Sequence, residues 1–167
     1  DFGGDALVFY DDAAAELASA PAVFRFPLPS GGLSEERAFT LTDLETATAN
    51  YLYAEGSRMI LQRALAAASR NDLVPLARIL YDALSLDPET LAAIPDPTFS
   101  DAAFYAVECR DYTFFSGTPD ERAEAYLRAG DAVEAALPRL ASIFYGDLPC
   151  VFWPGGTEDV SRPAPLT

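Results

Sequence analysis

The stretch Leu73-Val74-Pro75-Leu76-Ala77-Arg78-Ile79-Leu80-Tyr81-Asp82-Ala83-Leu84-Ser85-Leu86 decides the class of fold. Leu73, Leu76, Ala77, Leu80 and Leu84 recur at three- and four-residue steps. That spacing gathers side chains on one face of an α-helix, whereas a strand would need alternation. A helix from this run to about Leu86 therefore has an apolar stripe that must be buried by neighbours.

The neighbours read the same way. Upstream, Thr42-Asp43-Leu44-Glu45 fits a capping box, in which a Thr hydroxyl and a Glu carboxylate satisfy two orphan amide donors. The helix it opens carries Leu44, Ala47, Thr48, Tyr51 and Leu52 on one stripe, with Gly56 as its end. Ser57 then caps a helix from Arg58 to Arg70, with Met59, Ile60, Arg63, Ala64 and Ala67 around it, and Asn71-Asp72 is a break and restart. Near the beginning, Leu7, Val8, Tyr10, Ala14, Leu17 and Ala18 predict a helix from about Asp5 to Ser19, stopped by Pro21. Ala22-Val23-Phe24-Arg25-Phe26 and Arg37-Ala38-Phe39-Thr40-Leu41 flank Ser30-Gly31-Gly32, which suggests a small β-hairpin or an extended arm.

Downstream, Asp87-Pro88 reads as cap and first-turn proline of a short helix ending at Pro95. Ser100 caps Asp101 to about Tyr112, with Ala103, Phe104 and Val107 expected to face inward. Thr118-Pro119-Asp120-Glu121 is a second capping box. Its helix carries Ala125, Tyr126, Ala129, Val133 and Leu137 and is kinked or ended at Pro138. From Gly146 to Gly156 the chain reads as irregular and rich in apolar residues. The sum is a mainly α fold of six or seven helices with the hairpin, and no repeat or βαβ alternation.

A length of 167 residues with 50% hydrophobic composition suits one domain with a core. The net charge of −15, with arginine as its only strong base, argues against nucleic acid or anionic lipid as a partner. No apolar run reaches the ~18 residues of a membrane span. Both ends, Asp1-Phe2-Gly3-Gly4 and the proline-spaced Ser161 to Thr167, read as lying inside a longer polypeptide.

Chemistry is constrained by one absence: the chain has no histidine. A serine or cysteine nucleophile needs a base, most often an imidazole. The nearest approach to a nucleophile elbow, Gly32-Leu33-Ser34-Glu35-Glu36, lacks the closing glycine and a strand–turn–helix setting. Gly3-Gly4, Gly31-Gly32 and Gly155-Gly156 are isolated pairs that suit turns better than phosphate loops. Two cysteines and scattered acids such as Asp11-Asp12 and Glu35-Glu36 make no zinc or calcium pattern. No metal, no cofactor and no catalytic residue is expected within this segment. Cys109 and Cys150 are either two buried thiols or a bridge, and the residues alone leave that open.

Three stretches together resemble the lid region of the tripeptidyl aminopeptidase and proline iminopeptidase branch of α/β-hydrolases. The first is Leu41-Thr42-Asp43-Leu44 leading to Tyr51-Leu52-Tyr53, followed by Leu61 to Ala68 and Asn71-Asp72. The second is Tyr105-Ala106-Val107-Glu108-Cys109-Arg110-Asp111, similar to an Ala-Ile-x-Cys-x-Asp segment. The third is Pro149-Cys150-Val151-Phe152-Trp153-Pro154, similar to a Cys-x-x-Trp-Pro segment. The resemblance spans Leu41 to Pro154 in matching order.

It implies that residues 1–167 are one helical lid domain, inserted as a cap in a secreted or cell-envelope serine hydrolase of bacterial type. Its partners would be the catalytic core of the same chain and a peptide or small ester or amide substrate. The catalytic Ser, Asp and His would lie outside the segment. Cys109 and Cys150 would be bridged, closing a loop worth roughly 4 kcal/mol in the chain-entropy model. Glu108 and Asp111 are the acids to test for reading a substrate ammonium. Tyr51, Tyr53, Phe104, Tyr105, Phe114, Phe115 and Trp153 are the aromatics available to line a pocket, with core packing the plainer role for each. The competing readings are a free-standing acidic helical binding module and a regulatory ligand-binding helical domain.

Overall fold

The computed structural model describes residues 4–112, 114–137 and 139–153. Among them are seven α-helices, one 3-10 helix and one two-stranded antiparallel sheet. The mainly α class and the hairpin expected from the sequence are both present. The chain divides into two compact units, Asp1–Pro95 and Asp96–Thr167.

In the first unit, α1 (Ala6–Ser19) starts at Asp5, whose carboxylate accepts the Leu7 N–H. Tyr10 and Leu17 are its buried positions, while Leu7 and Val8 are exposed. Strands β1 (Ala22–Pro27) and β2 (Leu33–Phe39) pair from Ala22↔Phe39 to Arg25↔Glu36. Gly31 and Gly32 turn the chain at φ 103° and 82°, a region a side chain would disfavour. The register shifts between Arg25 and Pro27, where the Phe26 N–H donates to Ser34 Oγ. Phe26 and Phe39 point into the core.

Helix α2 (Leu41–Tyr51) corrects the expected capping box by two residues. The cap is Thr40, not Thr42, and its partner is Asp43, not Glu45. Thr40 can cap because it leaves the strand in an extended conformation at φ −106°, ψ 170°. Thr42 already lies within the helix, and Glu45 is instead buried at 6% exposure beside Leu44, Ala47 and Thr48.

Helix α3 (Glu55–Ala68) also begins earlier than expected. Gly56 lies inside its first turn and does not end α2, and Ser57 is within the helix, donating to the Ala54 carbonyl. Leu61, Ala64, Leu65 and Ala66 are buried, whereas Met59 and Ile60 face outward. The break at Asn71-Asp72 is present. Asn71 takes a left-handed φ of 63°, which Asn tolerates better than most residues, and Asp72 accepts the Val74 N–H.

Helix α4 (Val74–Ala83) is the centre of this unit, packed by α2, α3 and β1. Leu76 and Ala77 are at 0% exposure and Ile79, Leu80 and Tyr81 are buried. Complete burial of a leucine is worth about 1.5–3 kcal/mol. Leu84, counted in the stripe, lies past the helix end and is exposed. The Tyr81 ring meets Phe26 edge-on at 5.1 Å, and the Arg37 guanidinium lies 5.4 Å from the Tyr81 centroid and 5.5 Å from that of Phe26.

No helix follows Asp87-Pro88. Asp87 does cap, accepting from the Glu89 and Thr90 amides, but the turn stops at Leu91 with φ 58°. The backbone then closes on itself through an isolated Leu86↔Ala93 bridge and an Ile94 N–H to Ser85 O bond.

The second unit holds α5 (Asp101–Asp111), α6 (Pro119–Ala136), a 3-10 helix (Ala141–Asp147) and α7 (Leu148–Val151). Ser100 caps α5 as expected, accepting from the Ala103 N–H. The expected Thr118–Glu121 capping box opens α6. That helix ends at Ala136; Pro138 lies outside the described residues. The stretch after Gly146, expected to be irregular, forms α7 instead, with Pro149 in its first turn. Pro154, Gly155 and Gly156 lie outside the described residues, as do Asp1 to Gly3 and the segment from Ser161 to Thr167. Tyr126, at 1% exposure, is surrounded by the rings of Phe114, Phe115, Phe144 and Tyr145, and its hydroxyl donates to the Phe144 carbonyl. Gly130 carries no side chain where a Cβ would collide with the Tyr145 ring.

The position of the α2 cap can be measured. Thr40→Ala should lower stability by about 1 kcal/mol in urea unfolding. Thr42→Ala, at an exposed position, should change it by less than about 0.5 kcal/mol; the reverse order would place the cap at Thr42. Alkaline pH tests a second contact of the first unit. Tyr51 donates its hydroxyl to Asp82 at 2.6 Å, and that bond, then burial, then the Asp82 charge push the phenol up to about 12 from 10.0. A phenol whose pKa is raised by folding holds its proton more tightly when folded. Its stabilising share is therefore complete below pH 10 and is lost as pH rises toward 12. Tyr51→Phe should flatten the fall of the urea midpoint between pH 9.5 and 11.5 (roughly the span of that shift), and an unchanged slope would refute the coupling.

Candidate functional site

Helix α5 places the two acids singled out from sequence, and its orientation is set on the opposite side. Cys109, buried at 5% exposure, has its sulfur 2.07 Å from that of Cys150 in α7, with Cα atoms 4.8 Å apart. The bridge implied by the resemblance is thus present at bonding distance. Arg122 of α6 holds the same end, donating from Nε and Nη2 to the Val151 carbonyl at 3.1 and 2.5 Å. Tyr105, one turn before Cys109, donates its hydroxyl to the Gly146 carbonyl.

With Cys109 and Tyr105 turned inward, the expected inward set Ala103, Phe104 and Val107 is turned out. All three are exposed, Phe104 at 44% and Val107 at 62%. The covalent pair outweighs the weak apolar patterning of a helix that is apolar on several sides. At about 100° per residue, Phe104, Val107, Glu108 and Asp111 fall within one arc of about 100°. Glu108 is half-buried and Asp111 exposed. The structure therefore brings the two acids together on one face and adds two apolar neighbours, Phe104 and Val107, that were expected to face inward. Phe99 extends this face through ring contact with Phe104 at 6.1 Å.

The other candidate aromatics are divided. Tyr51 is committed to Asp82, and Tyr53 stands out into solvent at 89% exposure. Phe114 is half-buried and Phe115 exposed, and both rings contact Tyr126. Trp153 is half-buried, its amide donating to the Cys150 carbonyl.

Ser34, the remnant of an elbow, is buried in β2; its Oγ accepts from the Phe26 amide and donates to the Glu35 carbonyl. That is a structural hydroxyl within a hairpin. Asp11 and Asp12 are exposed, as are Glu35 and Glu36, and Glu36 meets Arg25 at 3.9 Å. Among the described residues no cluster of three or more Cys, Asp or Glu is placed to hold a metal ion, and no helix is long and apolar enough to cross a membrane. Burial raises the phenol of Tyr126, with the Asp147 charge adding to it. Burial likewise raises Tyr145, beside the charges of Asp131 and Glu134. The Thr118 amide and hydroxyl hold Glu121 below the usual carboxylate range.

Comparison with family models, with characterised proteins and with solved structures finds no match to this chain.

The sulfur pair makes a direct prediction. Thiol titration of the denatured, unreduced protein should find close to none, and two reactive thiols would refute the bridge. Replacing both cysteines by serine should destabilise the second unit by about 4 kcal/mol in the chain-entropy model, read as loss of its protection from amide exchange.

Proposed function

We propose that this chain is the helical lid of a secreted serine α/β-hydrolase of the aminopeptidase type, roofing the active-site cleft and helping to select a peptide's free amino end. The observation that carries the reading is the Cys109–Cys150 pair, which joins the second and third stretches of the resemblance. The lack of histidine agrees with a division of labour in which the base lies elsewhere in the polypeptide.

The outer face of α5 suits the lid's task. Glu108 and Asp111 offer negative charge to an ammonium, and Phe104 and Val107 offer apolar surface to the adjoining side chain. Covering this face with a catalytic core would desolvate the carboxylates and strengthen their attraction for the amine.

The test is the whole encoded polypeptide. It should carry a Gly-x-Ser-x-Gly before residue 1 and a histidine after residue 167, and should cleave peptides that residues 1–167 alone leave intact. In that enzyme, Glu108→Gln should raise KM about tenfold (~1.4 kcal/mol) for free-amino peptides and leave N-acetylated ones unchanged. Equal effects on both would remove Glu108 from amine recognition. A polypeptide without the serine elbow or the histidine would end the lid reading.

A further inference from the structure

The first unit contains a groove of about 490 Å³ that the lid reading does not use. It lies between the end of the hairpin and the turn after α4, with Pro27, Leu28, Leu86 and Pro88 as apolar walls. The proline walls have no amide hydrogen to offer a ligand. The volume falls within the range of about 300–1,000 Å³ common for small-molecule sites.

Two charges of opposite sign border this apolar space. Arg78 and Asp82 both line the groove and stand one helical turn apart on α4. Residues so spaced can pair, although the order with the base first is the weaker one. They do not pair here. The Arg78 guanidinium is drawn toward the Phe26 ring, 5.7 Å from its centroid, and among the described residues it has no carboxylate within ion-pair distance. Asp82 is steadied by Tyr51, whose hydroxyl donates to Oδ2. Its Oδ1 has no donor among the described residues. The other nearby cation, Arg37, is committed to the Tyr81 hydroxyl and the Glu89 carbonyl.

We propose that this groove binds a zwitterion with an apolar side chain, a free α-amino acid or a short peptide. Arg78 takes the carboxylate, Asp82 takes the ammonium, and the proline and leucine walls take the side chain. A guanidinium and a carboxylate that border one apolar groove without pairing with each other are complementary to a ligand whose own two charges are fixed apart. A purely anionic or purely cationic ligand would satisfy one charge and meet the other with repulsion. The proposal is independent of the lid reading, since every group in it belongs to the first unit and none needs a neighbouring serine enzyme.

The test is calorimetric titration of the whole chain with L-leucine, Leu-Leu, N-acetyl-leucine and leucinamide. At least one of the two zwitterions should bind with Kd below about 1 mM, and whichever is tighter identifies the source as free amino acid or peptide. Blocking either end should weaken binding about tenfold or more. Arg78→Gln should erase the preference for a free carboxylate, and Asp82→Asn the preference for a free amine. Arg78 is exposed, so its variant should fold normally, and the amide introduced by Asp82→Asn keeps an oxygen for the Tyr51 hydroxyl. Unchanged near-ultraviolet dichroism checks both, and if Asp82→Asn fails to fold, Arg78→Gln decides alone. No saturable binding of either zwitterion, equal binding of the blocked ligands, or wild-type selectivity in Arg78→Gln would each overturn the proposal and leave the lid reading untouched.

Discussion

Leu76 and Ala77 reach complete burial because α4 is packed at once by α2, α3 and the hairpin, and the first unit is organised by that requirement. A helix covered on several sides fixes the positions of whatever packs on it. Phe26 must stand over Tyr81, which brings Arg37 over both rings and ties the guanidinium to the turn at Glu89. Among the described residues, the exposed side chains of α4 are Arg78 and Asp82, and the two charges are held by separate partners, an aromatic ring and a phenol.

The second unit is built under a different limit. Among the described residues its buried side chains are few, chiefly Tyr126, Cys109, Cys150, Val151 and Ala141. A core of this kind in fewer than about 80 residues rarely supplies more than about 3–5 kcal/mol. A bridge worth about 4 kcal/mol is then comparable with all the rest. Hence the sulfur pair, rather than apolar patterning, determines which side of α5 faces in.

This difference explains what the sequence made legible. Where periodic burial dominates, as at Leu76, Ala77 and Leu80, the pattern of residues and the structure coincide. Caps were legible at Ser100 and at Thr118, where Pro119 marks the first helical position. The Thr40/Thr42 choice was not, because both offer a hydroxyl and an acid three residues on, and only the backbone leaving β2 distinguishes them. Asp87-Pro88 has a helix start, but the left-handed Leu91 stops the chain four residues before the Pro95 that the sequence offers as the end. On α5, Phe104 and Val107 read as core residues by chemistry, and the partner of Cys109 was implied by resemblance rather than by spacing. Glu108 and Asp111 were found as acids beside a cysteine, while their shared face with Phe104 and Val107 required the structure. Arg78 and Asp82 gave no signal, since an oppositely charged pair at this spacing ordinarily reads as a solvated helix surface.

The electrostatics of the chain bear on what it contributes to any reaction. Acid–base catalysis favours groups whose pKa lies near the working pH. Six groups among the described residues are displaced away from neutrality. Tyr51, Tyr126 and Tyr145 are raised from an already alkaline value, and Asp87, Asp96 and Glu121 are lowered by hydrogen bonds from neighbouring threonines. Each shift fixes a charge state more firmly at neutral pH, with phenols kept protonated and capping carboxylates kept ionised. Such groups hold geometry and present constant charge.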